Sequence, residues 1–396
     1  MVTEPDSPPA EKRVTWAELF FDLVFVFAVT EVAALLAHDR SGAGLLRAVI
    51  VFVPCYWLWV GTSIQVNQRD ISRPSLRLEV FAVALAAIFM ALAVPRAYTG
   101  LGLLFALAYW AGRIVLGEHM LRGAIRERTL PVNPVSVSMV VTGPLLVIGA
   151  LLPAGPREVV WGVAAALDLS VPTLARARLR LMHVDAAHLA ERFGAFVLIA
   201  LGESVVAIGV GAASEHQLSL ASGLAVAAAF ALACGLAWVY FGFAADAMRH
   251  SLATARVQLD IIRLVLSYGH LLFIAAIIMV AVGMRQAVVH PGDPLGAAGS
   301  ALLAGGTALY LATFGFTRWA MFRLVSWTRL IAAAGVLLFL PLAVVLPALA
   351  ALAVLAAGVA ALNVVEYARV EKIGWRALLA RREREQSGAG SGPQSP

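Results

Sequence analysis

Three carboxylates, Glu18, Asp22 and Glu31, fall inside one apolar stretch from Trp16 to Ala37, WAELFFDLVFVFAVTEVAALLA. An ionised carboxylate at the centre of a helix in hydrocarbon costs about 2.5–3.5 kcal/mol on insertion scales. Such acids face protein or water, where they can carry a proton or a cation. The pattern returns from His188 to Gly211, HLAERFGAFVLIALGESVVAIGVG, with Glu191 and Glu203 in corresponding places. Glu18 and Asp22 share a helical face. Like charges at that spacing favour a proton on one of them, or a neighbouring cation or arginine. Glu18 also stands where an acid caps a helix start, and Asp22 lies about 9 Å into the helix. Glu31 and Glu203 are each about fifteen residues in, at equal depth by the rise per residue. A matched pair of deep acids suits a proton or cation site; the competing reading is an inter-helix hydrogen bond from a neutral carboxyl. Gly202, just before Glu203, is expected to let a neighbouring backbone approach.

His183, Asp185, His188, Glu191 and Arg192 gather at the start of the second acid-bearing stretch. His188 and Glu191, three residues apart on one helical face, form with Glu118 and His119 a loose metal-like constellation without fixed ligand spacing. The reading preferred here is an interfacial polar network in which Glu191 and Arg192 find partners, with no metal and no cofactor. Arg113, Asp168, Tyr268, His270 and Asn363 are further polar side chains in apolar segments. Arg113 is the natural counter-charge for a buried acid. Asp168 and Asn363 occupy matching places in two halves of the chain, which makes those halves electrically unequal. The pairs Trp57/Trp59 and Trp238/Tyr240 read as packing or interfacial residues. No P-loop, dinucleotide fingerprint, zinc-protease motif or nucleophile elbow is present, so no catalytic residue is assigned.

The elements that position these groups follow from composition. The chain has 396 residues, 61% hydrophobic and 14% charged, with mean hydropathy +0.85. That balance excludes an ordinary soluble domain and gives an all-α polytopic membrane protein. Apolar segments of spanning length read at 16–37, 44–64, 77–95, 99–119, 135–152, 158–174, 188–211, 219–245, 261–283, 295–316, 326–346 and 347–365. Each approaches the ~20 residues needed to cross about 30 Å of hydrocarbon, giving about twelve transmembrane helices. Pro153 to Pro156 and Pro347 mark tight turns between paired helices. The net charge of +6 resides in short loops and the tail, so nucleic acid is not a partner. Alternate loops and the termini carry 23 Lys and Arg against 5 in the opposite set. Both termini are therefore expected in the cytoplasm, with the bilayer as partner and an inorganic cation or proton as cargo. The location expected is the bacterial inner membrane. Residues 1–13 lack a cleavable signal peptide. Cys55 and Cys234 lie in apolar runs and read as packing residues.

Three markers recur in order: the two acid helices, Trp57-Leu-Trp-Val-Gly61 with Trp238-Val-Tyr-Phe-Gly242, and Ala165-Ala-Leu-Asp168 with Ala360-Ala-Leu-Asn363. An even number of spans per unit makes these parallel six-helix repeats. The organisation expected is a cytoplasmic segment at 1–15, a first repeat at 16–174, a cytoplasmic linker at 175–187, a second repeat at 188–366 and a basic tail at 367–396. The tail opens with KIGWRALLARRERE, an amphipathic stretch suited to the inner leaflet, and ends in Ser, Gly and Pro suited to disorder.

From Arg13 to Phe27, and again at His188-Leu-Ala-Glu191-Arg-Phe-Gly194 and Leu201-Gly-Glu203-Ser204, the sequence resembles the bacterial low-temperature-requirement A (LtrA) family. The resemblance runs from about residue 12 to 370. It implies a multi-pass membrane protein and names no substrate. The leading expectation is cation- or proton-coupled transport through the acid-bearing helices. The competing readings are a membrane-embedded enzyme with a cytoplasmic-side His/Glu site, and a non-transporting stress-related membrane protein.

Overall fold

The computed structural model describes residues 14–69, 71, 73–127, 132–179, 184–213, 219–242 and 244–388. Its framework is a set of helical rods, here numbered in chain order: α1 Trp16–His38, α2 Gly42–Gln68, α3 Pro74–Ala93, α4 Gly102–Glu127, α5 Pro134–Ala150, α6 Ala154–Leu174, α7 Ala186–Ala213, α8 Leu220–Phe241, α9 Gln258–Val289, α10 Gly296–Phe322, α11 Trp327–Val345 and α12 Ala348–Gly388. Short helices at Arg176–Leu179 and Ala244–Thr254 connect them. The described residues contain no strand, only an isolated bridge between Pro294 and Pro347.

A rod stands at each of the twelve expected segments, but the segments are not equivalent. Nine rods among the described residues are long and apolar enough to cross a membrane: α1–α3 and α7–α12. Helices α4, α5 and α6 do not combine that length with that apolar character. Helix α5 is short. Helix α4 carries Arg113, Glu118, Arg122 and Arg126, and α6 carries Arg157, Glu158 and Asp168. Helix α12 runs on past residue 366 to Gly388, because KIGWRALLARRERE is rich in strong helix formers and contains no proline. The N-terminal segment with Lys12 and Arg13, His183 of the linker and residues 389–396 of the tail lie outside the described residues.

Local chemistry sets the helix starts. Glu18 Oε2 accepts from both the amide and the hydroxyl of Thr15, at 2.9 Å each, and closes the first turn of α1. Ser41 Oγ accepts from Gly44 N at 3.1 Å at α2, and Asn133 Oδ1 accepts from Val135 N and Ser136 N at α5. Asp185 Oδ1 accepts from His188 N at 2.9 Å and opens α7. Pro74 sits at the start of α3, where its missing N–H costs nothing. In the loop between α1 and α2, Asp39 accepts from the Ser41 hydroxyl and amide, which holds its carboxyl below the usual carboxylate range.

Within the first half, α1 packs on α2 and α3, α3 on α4, α4 on α5, α5 on α6, and α6 returns to α2. Within the second half, α7 packs on α8 and α9, α9 on α10, α10 on α11, α11 on α12, and α12 returns to α8. The halves meet where α1 touches α7 and α9 and where α2 touches α7. Burial follows this plan: α2 and α9 are largely enclosed, whereas α11 presents most of its surface outward, with Leu338 82% exposed. Apolar side chains on such a face suit lipid.

Three rods widen into π turns, at Ser138–Thr142 in α5, Ile262–Gly269 in α9 and Ala301–Gly305 in α10. A π turn shifts the hydrogen-bond register and frees carbonyls for other donors. In α9, Leu266 O and Ser267 O accept from Tyr56 OH of α2, at 3.2 and 2.8 Å.

Candidate functional site

Between α1, α2 and α7 lies a cluster of charges with no exposed surface. Glu18, Asp22, His188 and Arg192 are each 0% exposed. Arg192 Nη2 donates to Asp22 Oδ1, and Nη1 reaches Glu18 Oε1 at 3.5 Å. Trp59 donates its indole N–H to Asp22 Oδ1 at 2.7 Å. His188 Nε2 stands 3.0 Å from Glu18 Oε1, while its Nδ1 lies 3.0 Å from Asn67 Nδ2. Asn67 is fixed in turn by the Asp185 backbone, donating to its carbonyl and accepting from its amide at 2.9 Å each. The two readings of Glu18 both hold, one per oxygen: Oε2 caps α1 and Oε1 faces His188 and Arg192.

The charge balance of this cluster defines what it can do. Two carboxylates face one guanidinium, so with a neutral imidazole one negative charge is in excess. An uncompensated charge away from water is costly. A proton shared among Glu18, Asp22 and His188, or a small cation, restores neutrality. Asp22 Oδ2 has no hydrogen-bond partner and is the open acceptor.

A second acidic position lies further along α1 and α7. Thr30 donates its hydroxyl to Glu203 Oε2. The contacts 18 with 188 and 192, 22 with 192 and 30 with 203 advance together along both helices, so α1 and α7 run in the same direction. Glu203 and Thr30 line a small chamber of about 80 Å³. It shares Ala34, Ala37, Val282 and Arg285 with a vestibule of about 410 Å³ rimmed by His38, Arg40 and His290. Eight residues of helix, about 12 Å, separate Asp22 from Thr30. Aromatic rings fill part of that interval: Trp59 stacks on Phe196 at 4.1 Å and meets Phe193 edge-on at 4.8 Å, and Phe21 lies 4.9 Å from Phe25.

The remaining sequence candidates separate from this axis. Arg113 does not neutralise the acids of α1. It donates from Nε to Tyr109 OH at 3.1 Å, and Tyr109 donates to Asp168 Oδ2. Ser138 and Thr142 donate to Asp168 Oδ1 at 2.7 and 2.9 Å from the π turn of α5. Asn363 instead donates to Gly235 O at 3.0 Å. Glu191 is exposed and takes no place beside Arg192, because the helix turns Arg192 inward and its neighbour outward. Glu31 is half-buried one position past Thr30. Gly202 has open space around it, so the expected backbone approach is absent there. Trp57, Trp59 and Tyr240 are buried, whereas Trp238 is 56% exposed. Glu118 pairs with Arg122 one turn along α4, and the side chain of His119 lies outside the described residues. Among the described residues, no three His, Cys, Asp or Glu side chains converge as a metal site would require.

Two participants carry no sequence signal of their own. Thr30, inside the first span, and Asn67, near the end of the second, are ordinary polar residues, and only packing places them. His270 is more informative. Its Nδ1 faces the Val265 carbonyl at 3.0 Å and so must donate, and its Nε2 lies 2.7 Å from Tyr240 OH. That makes it a core histidine held on both ring nitrogens rather than a member of the acid cluster.

Comparison with known proteins agrees with this architecture. The family model described as bacterial low temperature requirement A protein (LtrA) matches residues 13–364. The chain is 28% identical to the uncharacterized protein RA0937 of Rhizobium meliloti (strain 1021) over 313 residues, 76% of each chain. No solved structure matches it. With a multi-helical membrane architecture and a family match spanning both acid-bearing helices, the chain belongs to the bacterial low temperature requirement A family.

Proposed function

We propose that this protein is a proton-coupled transport protein whose proton path follows α1 and α7. The observation that carries the reading is the acid pair at two depths: Glu203 at the inner end of a vestibule, and the Glu18–Asp22–His188–Arg192 cluster beyond an aromatic layer. The vestibule carries Arg40 and Arg285, which repel metal cations, whereas its histidines can relay protons. A sealed cluster that needs one proton for neutrality is a natural acceptor at the end of such a path.

The topology proposed with it is twelve membrane crossings in the bacterial inner membrane, with both termini cytoplasmic. The arginine-rich loops support that orientation. Two parallel six-helix repeats, 16–174 and 188–366, are supported by the same neighbour order in each half and by the common direction of α1 and α7. Helices α4–α6 then cross with their mid-span charges, Arg113 and Asp168, turned inward.

The test is flux in proteoliposomes under an imposed pH gradient, with Asp22→Asn and Glu203→Gln. Both substitutions keep shape and remove charge. Proton flux is expected to collapse or lose its pH dependence while thermal unfolding changes little. Normal flux through the well-folded double variant removes these residues from any proton path.

A further inference from the structure

A cavity of about 370 Å³ opens between α2, α4, the start of α5 and the π turn of α9, apart from the acid axis. Its volume lies at the lower end of the ~300–1,000 Å³ range of ligand pockets. The walls are mainly apolar, with Trp57, Ile64, Met120, Val135 and Ile262 among them. Arg113 and Gln65 also line it. Arg113 is 0% exposed, and among the described residues neither Nη1 nor Nη2 has a hydrogen-bond partner. Gln65 is 6% exposed, and both atoms of its amide lack partners as well.

Unpartnered buried donors are costly, and here they are grouped. The nearest acid does not satisfy Arg113. Asp168 is engaged by Ser138, Thr142 and Tyr109, and only the Tyr109 hydroxyl bridges it to Arg113 Nε. No carboxylate is among the described lining residues. A second guanidinium among the described lining residues, that of Arg263, is spent on Thr173 and Asp260 at 3.1 and 3.3 Å. Gly61 makes the arrangement possible, since a Cβ there would lie 2.7 Å from Arg113 Nη1.

We propose that this cavity binds an amphipathic anion, with a carboxylate or phosphate head on Arg113 and Gln65 and an apolar chain along α2 and α9. The site is independent of the proton path and stands or falls separately. A guanidinium fork with two free N–H edges matches a planar or tetrahedral oxyanion, and the carboxamide supplies a further donor. The head group can come from a soluble acid or from a membrane lipid.

The test is scintillation-proximity binding of tritiated decanoate to the full-length protein in nanodiscs of neutral phosphatidylcholine. Decyltrimethylammonium, of equal chain length and opposite charge, is the competitor control. Saturable decanoate binding is expected, weakened about tenfold or more in Arg113→Gln and in Ile64→Trp, which fills the apolar end. Should Arg113→Gln fail to fold, Ile64→Trp and Gly61→Val, which crowds the guanidinium, carry the comparison. Phosphatidate added to the discs distinguishes the sources. Displacement of decanoate assigns the site to a lipid head, and persistence assigns it to a soluble acid. Absent binding, affinity unchanged in the variants, or equal competition by the cation overturns the proposal.

Discussion

Thr30 of α1 donates its hydroxyl to Glu203 of α7 across 173 positions of sequence. The same interval relates Ala17-Glu18 to Ala190-Glu191 and Phe20 to Phe193. In that register Thr30 aligns with Glu203, and the two side chains meet face to face. Glu31, which depth alone pairs with Glu203, falls in register with Ser204 instead. The two helices are unequal in what they contribute: α1 brings Glu18 and Asp22, and α7 brings His188 and Arg192.

That inequality makes Arg192 the residue on which the cluster depends. Arg192→Gln leaves Glu18 and Asp22 buried without a counter-charge, at an expected cost of about 3–5 kcal/mol. The apparent unfolding midpoint and the yield of folded protein in detergent should both fall. Adding Asp22→Asn should recover much of the loss, because it removes the stranded charge. Recovery no greater than the sum of the single effects would mean that the two side chains are not energetically coupled.

Trp59 combines a hydrogen bond with stacking. Trp59→Phe keeps an aromatic ring against Phe196 and removes the indole N–H that donates to Asp22. A loss of about 1–3 kcal/mol is expected for the weakened acceptor, read as a lower thermal midpoint. Since Trp59 is wholly buried, part of the loss is volume. Pairing the change with Asp22→Asn in a double-mutant cycle separates the two contributions.

Close packing of α9 on α10 rests on a glycine. A Cβ at Gly283 would lie 2.6 Å from Leu303 Cβ and 2.9 Å from its backbone N and Cα. Gly283→Ala must therefore move a helix, with about 1–3 kcal/mol of destabilisation expected from overpacking. Gly202→Ala meets open space and should leave the thermal midpoint unchanged or slightly raised. Equal behaviour of the two variants would contradict the packing described here.

Membrane insertion, the helical class and the positions of the acid-bearing segments were legible in the sequence, because hydrocarbon demands long apolar runs and penalises every charge within them. Even the inward facing of Glu18, Asp22, Arg113 and Arg192 follows from that penalty. Which charge meets which was not legible. Period and spacing place a residue on its own helix and say nothing of the helix opposite, so Arg113 could not be sorted to Asp168, nor Arg192 to Asp22. The same ignorance put Glu191 in the network and a close backbone contact at Gly202. Helix packing decided these pairings, together with the π turn that brings Ser138 and Thr142 to Asp168 and the gap that leaves the Arg113 guanidinium facing a cavity. Contacts between segments distant in sequence exist only once the rods are assembled, and in an apolar interior a shift of one helical position exchanges a partner for lipid.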